Sequence, residues 1–200
     1  MSKLLVATDV DDVALNWIGG FAKHATKVLE RPILMENYKT WDMKAWLGVE
    51  DPLALVRVFN SSHDFGFLEA FPYALDFYPA AAEAGHPIVA ITACADDVES
   101  HRLRIANLER VFGPIFQDVL FVPLGGDKTP HLRAAADRYG LGLWLEDNHK
   151  NALAGADVGH RTYMVRRAHN QVQEQTCRDT RLTWVDDLAL AAEYLGLRAA

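Results

Sequence analysis

Three aspartates, Asp9, Asp11 and Asp12, fall within four positions near the start of the chain, directly after the apolar run Leu4-Leu5-Val6-Ala7. The run is short and lacks helical spacing, which suits a strand covered on both faces in a parallel sheet. The carboxylates then sit at its carboxyl end, the edge at which open α/β sheets bind ligands. Crowded there, they repel one another unless a cation or a shared proton relieves them. Capping the next helix would need one aspartate, not three.

Other polar groups close later apolar runs. Thr92 ends "PIVAIT", Glu146 and Asp147 end "LGLWLED", and Lys128 stands in "LGGDKTPHL" after Gly125-Gly126. Singly, each has an ordinary reading: a strand-end hydroxyl, a helix cap, a solvated helix residue. Converged on one sheet edge, carboxylates can hold a hard divalent cation while a hydroxyl and an ammonium hold phosphate oxygens.

The elements that must position these groups follow from periodicity. A helix is expected from Val13 to about Leu29, weakened by Gly19-Gly20. From Ala74 onward helices alternate with strands at Pro87–Thr92, Asp118–Pro123, Leu141–Asp147 and Arg161–Arg167. That alternation implies βαβ units and a parallel, three-layer Rossmann-like α/β sheet. "AHNQVQEQTCRDTRL" reads as a polar loop before a C-terminal helix from Val185 to Leu195. The crossover from the first strand to "PIVAIT" is far longer than a unit of ~30 residues requires. Its surplus, residues 31–72, is aromatic-rich, poor in strand signals and marked by the helix start Asp51-Pro52. It is expected to be a small inserted helical cap, with residues 1–30 and 73–200 forming the core.

Composition narrows the partners. A formal charge of −7 gives no footprint for nucleic acid polymers or anionic membranes. Two cysteines make no disulfide framework, the eight histidines form no HExxH or HxxxH pattern, and no apolar run is long enough to span a bilayer. The start carries no signal-peptide pattern, so a cytoplasmic location is expected. His63, His101 and His149 are read as surface or supporting residues.

The four motifs in this order resemble the haloacid dehalogenase-like phosphohydrolase superfamily: "DVDDV" (Asp9 to Val13), "IVAIT" ending at Thr92, Lys128, and "LWLED" ending at Glu146-Asp147. The resemblance implies a magnesium-dependent phosphomonoesterase. Asp9 would be the nucleophile that becomes an aspartyl phosphate, and Asp11 the acid and then base. Thr92 and Lys128 would bind phosphate, and Mg2+ would be held by Asp9, Asp147 and the Asp11 carbonyl with Glu146 in support. Two departures stand out: Asp12 occupies a position often filled by Gly, and Glu146 one often filled by Asp. A phospho-receiver domain places its acidic pair and phosphorylated Asp differently, and the intact motif set argues against a non-catalytic phosphate-binding module.

Within the superfamily the chain looks most like deoxyribonucleotidase-type 5'-nucleotidases, on "DVDDVALNW", "FGFLEAFPYA" and "LERVFGPIFQDVLFV". That implies a nucleoside monophosphate as the small phosphorylated partner, with a sugar or acid phosphate as the alternative. Trp17, Trp41, Trp46, Phe65 and Phe67 are candidates for a base-binding pocket, or else the packing of a small cap.

Overall fold

The computed structural model describes residues 3–197. Its centre is a six-stranded sheet in the order β3-β2-β1-β4-β5-β6, every neighbouring pair parallel. The strands are β1 (Val6–Thr8), β2 (Ile88–Cys94), β3 (Phe116–Pro123), β4 (Leu143–Glu146), β5 (Arg161–Val165) and β6 (Leu182–Val185). The helices are α1 (Trp17–Val28), α2 (Met43–Leu47), α3 (Pro52–Asn60), α4 (Pro72–Glu83), α5 (Val98–Phe112), α6 (Thr129–Tyr139), α7 (His149–Val158), α8 (Gln171–Thr176) and α9 (Ala189–Leu195). Short 3-10 turns stand at Met35–Asn37, His63–Phe67 and Ala168–Asn170. Among the described residues no helix is long and apolar enough to cross a membrane.

Both sheet faces are covered, which explains why the central strands read as unbroken apolar runs. Side chains alternate between the faces with period two. Val6, Ile88, Ala90, Leu143 and Leu145 join the core that includes Ala74, Phe77 and Leu108 of α4 and α5. Leu5, Ala7, Val89, Ile91 and Trp144 face Leu132 and Ala135 of α6 instead.

Segment 31–72 contains helices and turns and no named strand. Helix α1 packs with this block: Trp17 stacks on Phe21 at 4.7 Å and meets Phe59 edge-on at 5.7 Å. The chain therefore passes between sheet and helical block near Leu15 and Ala70, whose short antiparallel bridge ties the two linkers together. Helix α1, counted with the core in the expected division, is thus also in contact with this block. Helix α1 starts at Trp17 rather than Val13 because residues 10–15 are used in a tight turn, with the amides of Ala14 and Leu15 both donating to the Val10 carbonyl.

The C-terminal expectation is corrected. The expected loop contains α8, and β6 occupies residues assigned to the loop and to the start of the helix. A strand of four residues with only Leu182 and Val185 buried is too short to register as alternation. It is recruited by pairing with β5, which extends the sheet.

Gly142 shows how tightly the central strands are framed. A Cβ there would lie 2.0 Å from the Leu5 carbonyl oxygen and 2.6 Å from the Leu5 nitrogen. Those are backbone atoms of the segment entering β1, and they cannot rotate away. Gly142→Ala is expected to lower stability by about 1–3 kcal/mol through overpacking. A urea unfolding midpoint equal to that of the parent protein would refute this close approach.

Candidate active site

The carboxyl ends of β1 and β4 lie side by side, since Thr8 pairs with Leu145. Asp9 follows β1, donates its amide to the Leu145 carbonyl and receives the Val10 amide on Oδ1 at 2.7 Å. Its Oδ2 lies 2.8 Å from Nζ of Lys128, which itself lies 3.0 Å from Oε2 of Glu146. Lys128 stands at the start of α6 and is 1% exposed, so its ammonium is held between two carboxylates with almost no water. Glu146 uses Oε1 to accept the amides of Asp147 and Asn148, at 3.2 and 2.9 Å. It thus braces both Lys128 and the loop carrying Asp147.

Asp11 pairs with the side chain of Arg104, which is fully buried on α5 and lies 4.2 Å over the Phe65 ring. Asp12 adopts a positive φ of 56°, the left-handed conformation that Gly enters freely and Asp tolerates. That resolves the first departure from the motif. Asp12 Oδ1 accepts the Ile18 amide at 3.0 Å, fixing the turn to the start of α1. Arg167 donates from Nε to the Asp12 carbonyl at 2.7 Å, hydrogen-bonds Tyr73 and lies 4.2 Å over the Phe71 ring. His169 brings Nε2 to 2.8 Å from Asp147 Oδ2, and Asn170 donates to the Asp147 carbonyl at 2.8 Å.

Burial governs the titration of this cluster. It raises Asp9 against the opposing charge of Lys128, and raises Asp12 and Glu146 well above the usual carboxylate range. Burial, only partly offset by Arg104, pushes Asp11 up to about 7. For Asp147 burial also acts upward, but His169, Lys128 and Arg167 outweigh it and hold the carboxyl below its ordinary value. Burial would lower Lys128, yet Asp9 and Glu146 prevail and keep it protonated.

Five carboxyls crowd here with three fixed cations, Lys128, Arg104 and Arg167, an acid-rich cluster that a bound cation or retained protons would relieve. The ligand atoms of Asp9, Glu146 and Asp147 lie within 4.8 Å of one another. An all-oxygen set of this kind suits a hard cation such as Mg2+.

These groups floor a cleft of about 610 Å³, a size that accommodates a small organic ligand. The helical block supplies its other wall, including Trp17, Trp41, Met43, Leu53 and Val56. Of the expected residues, Asp9, Asp11, Lys128, Asp147, Trp17 and Trp41 line the cleft, and Glu146 supports it from behind Lys128. Thr92 does not line it. Period-two alternation places Thr92 with Ile88 and Ala90 on the α4–α5 face, and Ala93 meets the cleft instead. The Thr92 hydroxyl is buried without a hydrogen-bond partner. Three of the expected pocket aromatics also lie elsewhere. Trp46 donates to the Leu34 carbonyl and packs on Tyr38, Phe65 lies under Arg104, and Phe67 stacks on His63 beside a separate shallow pocket. Arg104, Arg167, His169 and Asn170 were not legible as site residues, because Arg104 enters from α5 and the other three from the turn after β5, each far in sequence from the aspartates and without a local motif.

Comparison with solved structures decides the fold. A phosphate- and sodium-bound HAD family hydrolase from Deinococcus radiodurans R1 superposes with a TM-score of 0.68 at 18% identity, over 99% of each chain. The fold is that of the haloacid dehalogenase-like hydrolases. A haloacid dehalogenase-like family hydrolase from Streptococcus pneumoniae gives a TM-score of 0.65 at 12% identity, over 96% of this chain and 98% of that one. The D,D-heptose 1,7-bisphosphate phosphatase of B. bronchiseptica, complexed with magnesium and phosphate, gives 0.61 at 15%, over 96% and 97%. Among curated sequences, an uncharacterised 32.4 kDa protein from the Gp30-rIII intergenic region of Enterobacteria phage T4 is 25% identical over 155 residues, 72% of this chain. The chain matches 54% of that phage protein's length. No family model matches the sequence. At these identities the haloacid dehalogenase-like likeness is one of architecture.

The raised carboxyls set a pH dependence in the metal-free protein. A carboxyl whose folded value exceeds its unfolded value adds stability below the unfolded value and loses it as pH rises through the folded one. Asp9, Asp11, Asp12 and Glu146 act in this sense, whereas lowered Asp147 acts only below the usual carboxylate range. In EDTA the melting temperature is therefore expected to fall between about pH 5 and 8. Saturating Mg2+ should remove most of that fall. A metal-free melting temperature that rises across this window would contradict the cluster's electrostatics.

Proposed function

We propose that the protein is a metal-dependent phosphomonoesterase acting through an aspartyl phosphate on Asp9. The observation that carries this reading is the placement of Asp9 against the buried Lys128 ammonium, with Asp11 in the same cleft. Lys128 opposes the effect of burial on Asp9 and so favours its ionised form, and it offers positive charge where phosphate oxygens would lie. Asp11 is the acid whose side chain retains 20% exposure, and near pH 7 it exists in both protonation states.

Asp9 would attack phosphorus as the ester oxygen leaves and takes the proton from Asp11. Water would then attack the acyl phosphate, giving its proton to Asp11 and releasing phosphate and Asp9. Asp9 and Asp147, with the Asp11 carbonyl, would hold Mg2+. When bound, the ion offsets charge between carboxylates and the phosphoryl group. With Thr92 on the other face of β2, Lys128 is the side chain left to bind phosphate.

The substrate reading is a nucleoside 5'-monophosphate, with a deoxyribonucleotide preferred. Its support is Trp41, a ring 40% exposed at the cleft, beside apolar Met43 and Leu53. A base stacked on such a ring gains on the order of 1–3 kcal/mol, about one to two orders of magnitude in affinity. A sugar phosphate has no π-face and forgoes it.

Hydrolysis of an aryl phosphate should require Mg2+ and stop in EDTA. Asp9→Asn should lose roughly a thousandfold or more in kcat. Acid-quenched enzyme should carry phosphate on the peptide containing Asp9; an active Asp9→Asn variant would remove the mechanism. In a substrate panel, kcat/KM should favour deoxynucleoside monophosphates over hexose phosphates by about tenfold, and Trp41→Ala should erase that margin. The opposite preference would leave a phosphatase for sugar or acid phosphates.

A further inference from the structure

Asp147 has a second side. Besides its grouping with Asp9 and Glu146, it offers an oxygen within 4.8 Å of ligand atoms of Asp12 and His169. His169 is 1% exposed, and its Nε2 has no hydrogen-bond partner; nor has Asp147 Oδ2, although the two atoms are 2.8 Å apart. They are close but not aligned as donor and acceptor. Adjacent ligands of one six-coordinate ion, each about 2.1 Å from it, lie about 3 Å apart and point at the ion rather than at each other. The Tyr38 hydroxyl beside the trio is also buried without a partner, and its ionisation is opposed by burial and by the charges of Asp12 and Asp147.

The position of His169 is built into the fold. Asn170 donates to the carbonyls of both Asp147 and Val165 at 2.8 Å and accepts the Arg167 amide at 2.9 Å. The turn carrying His169 is therefore pinned onto the residue it faces. The ring is packed 4.2 Å from Trp41 and 5.4 Å from Tyr38. Asp12 is fixed by the Ile18 amide. On the Asp9 side Lys128 already sits between two carboxylates. On the His169 side no ammonium or guanidinium touches the Asp147 or Asp12 carboxylate among the described residues.

We propose that Asp12, Asp147 and His169 form a cation site in which His169 Nε2 is a nitrogen ligand, and that it takes a first-row transition dication. Imidazole favours such ions, whereas Mg2+ prefers oxygen ligands and dehydrates reluctantly. The inference deepens the metal-dependent reading and rests on it only for what the ion does; binding itself is independent of any ester.

The test uses Mn2+ alone, added to the metal-free protein, with electron-spin-echo modulation reporting ligand nuclei. The wild-type protein should show nitrogen modulation that changes to the 15N pattern when only histidine is labelled. His169→Asn and His169→Gln should lose that modulation and bind Mn2+ about tenfold or more weakly by free-ion EPR titration. Bound Mn2+ without histidine modulation, unchanged affinity in folded His169 variants, or no Mn2+ binding would overturn the site. The labelled wild-type measurement stands even if the variants do not fold. Histidine modulation without hydrolysis of any phosphate ester would retain the metal site and reject the phosphatase. Hydrolysis without that modulation would do the reverse.

Discussion

The arrangement depends on one buried ammonium. Lys128 lies between Asp9 and Glu146 with 1% of its surface exposed, and each partner is anchored to a different part of the sheet edge. Burying an ammonium with two acids is costly, and their attraction offsets that cost only where every remaining lone pair is engaged. Here the second oxygens accept backbone amides, from Val10 for Asp9 and from Asp147 and Asn148 for Glu146. Removing one partner of such a pair costs about 3–5 kcal/mol, because the other charge stays buried and uncompensated. The ammonium is thus a structural bridge between β1, β4 and α6 as well as a charge in the cleft.

The acids around this bridge divide by their neighbours. Asp9 and Glu146 share Lys128, Asp11 has Arg104, and Asp147 has His169. Asp12 has only a backbone amide and the more distant Arg167. Five acids in one depression therefore have different proton affinities, and the differences come from which element supplies each partner.

Much of this was legible along the chain, and the limits have a physical pattern. Strand ends are local events: an apolar run stops and a polar residue follows, so Asp9, Lys128, Glu146 and Asp147 could be placed on one edge from spacing alone. Thr92 met the same criterion, but β2 continues through Ala93 to Cys94, and alternation with Ile88 and Ala90 puts Thr92 on the α4–α5 face. A strand's last residue cannot be read from where its hydrophobicity fades. Arg104 and His169 were invisible because their meaning is set by partners far away in sequence. The aromatic block was seen as a unit, but only Trp17 and Trp41 of the five candidate aromatics reach the cleft, while Trp46, Phe65 and Phe67 are engaged in other contacts. Composition identifies a surplus of rings without saying which are used for packing.

Arg167 links two parts of the molecule that would otherwise be mechanically separate. Its guanidinium touches the Asp12 carbonyl in the acidic turn and Phe71 and Tyr73 just beyond the linker that returns from the helical block. Tyr73 in turn donates to the Val13 carbonyl, on the outgoing linker. Any swing of the block about the bridged pair Leu15 and Ala70 must load these bonds. The guanidinium is placed to work as a crank: displacement of the cleft's roof would be delivered as torque to the peptide that follows Asp12, and binding that tightens the turn would resist the roof's motion by the same linkage.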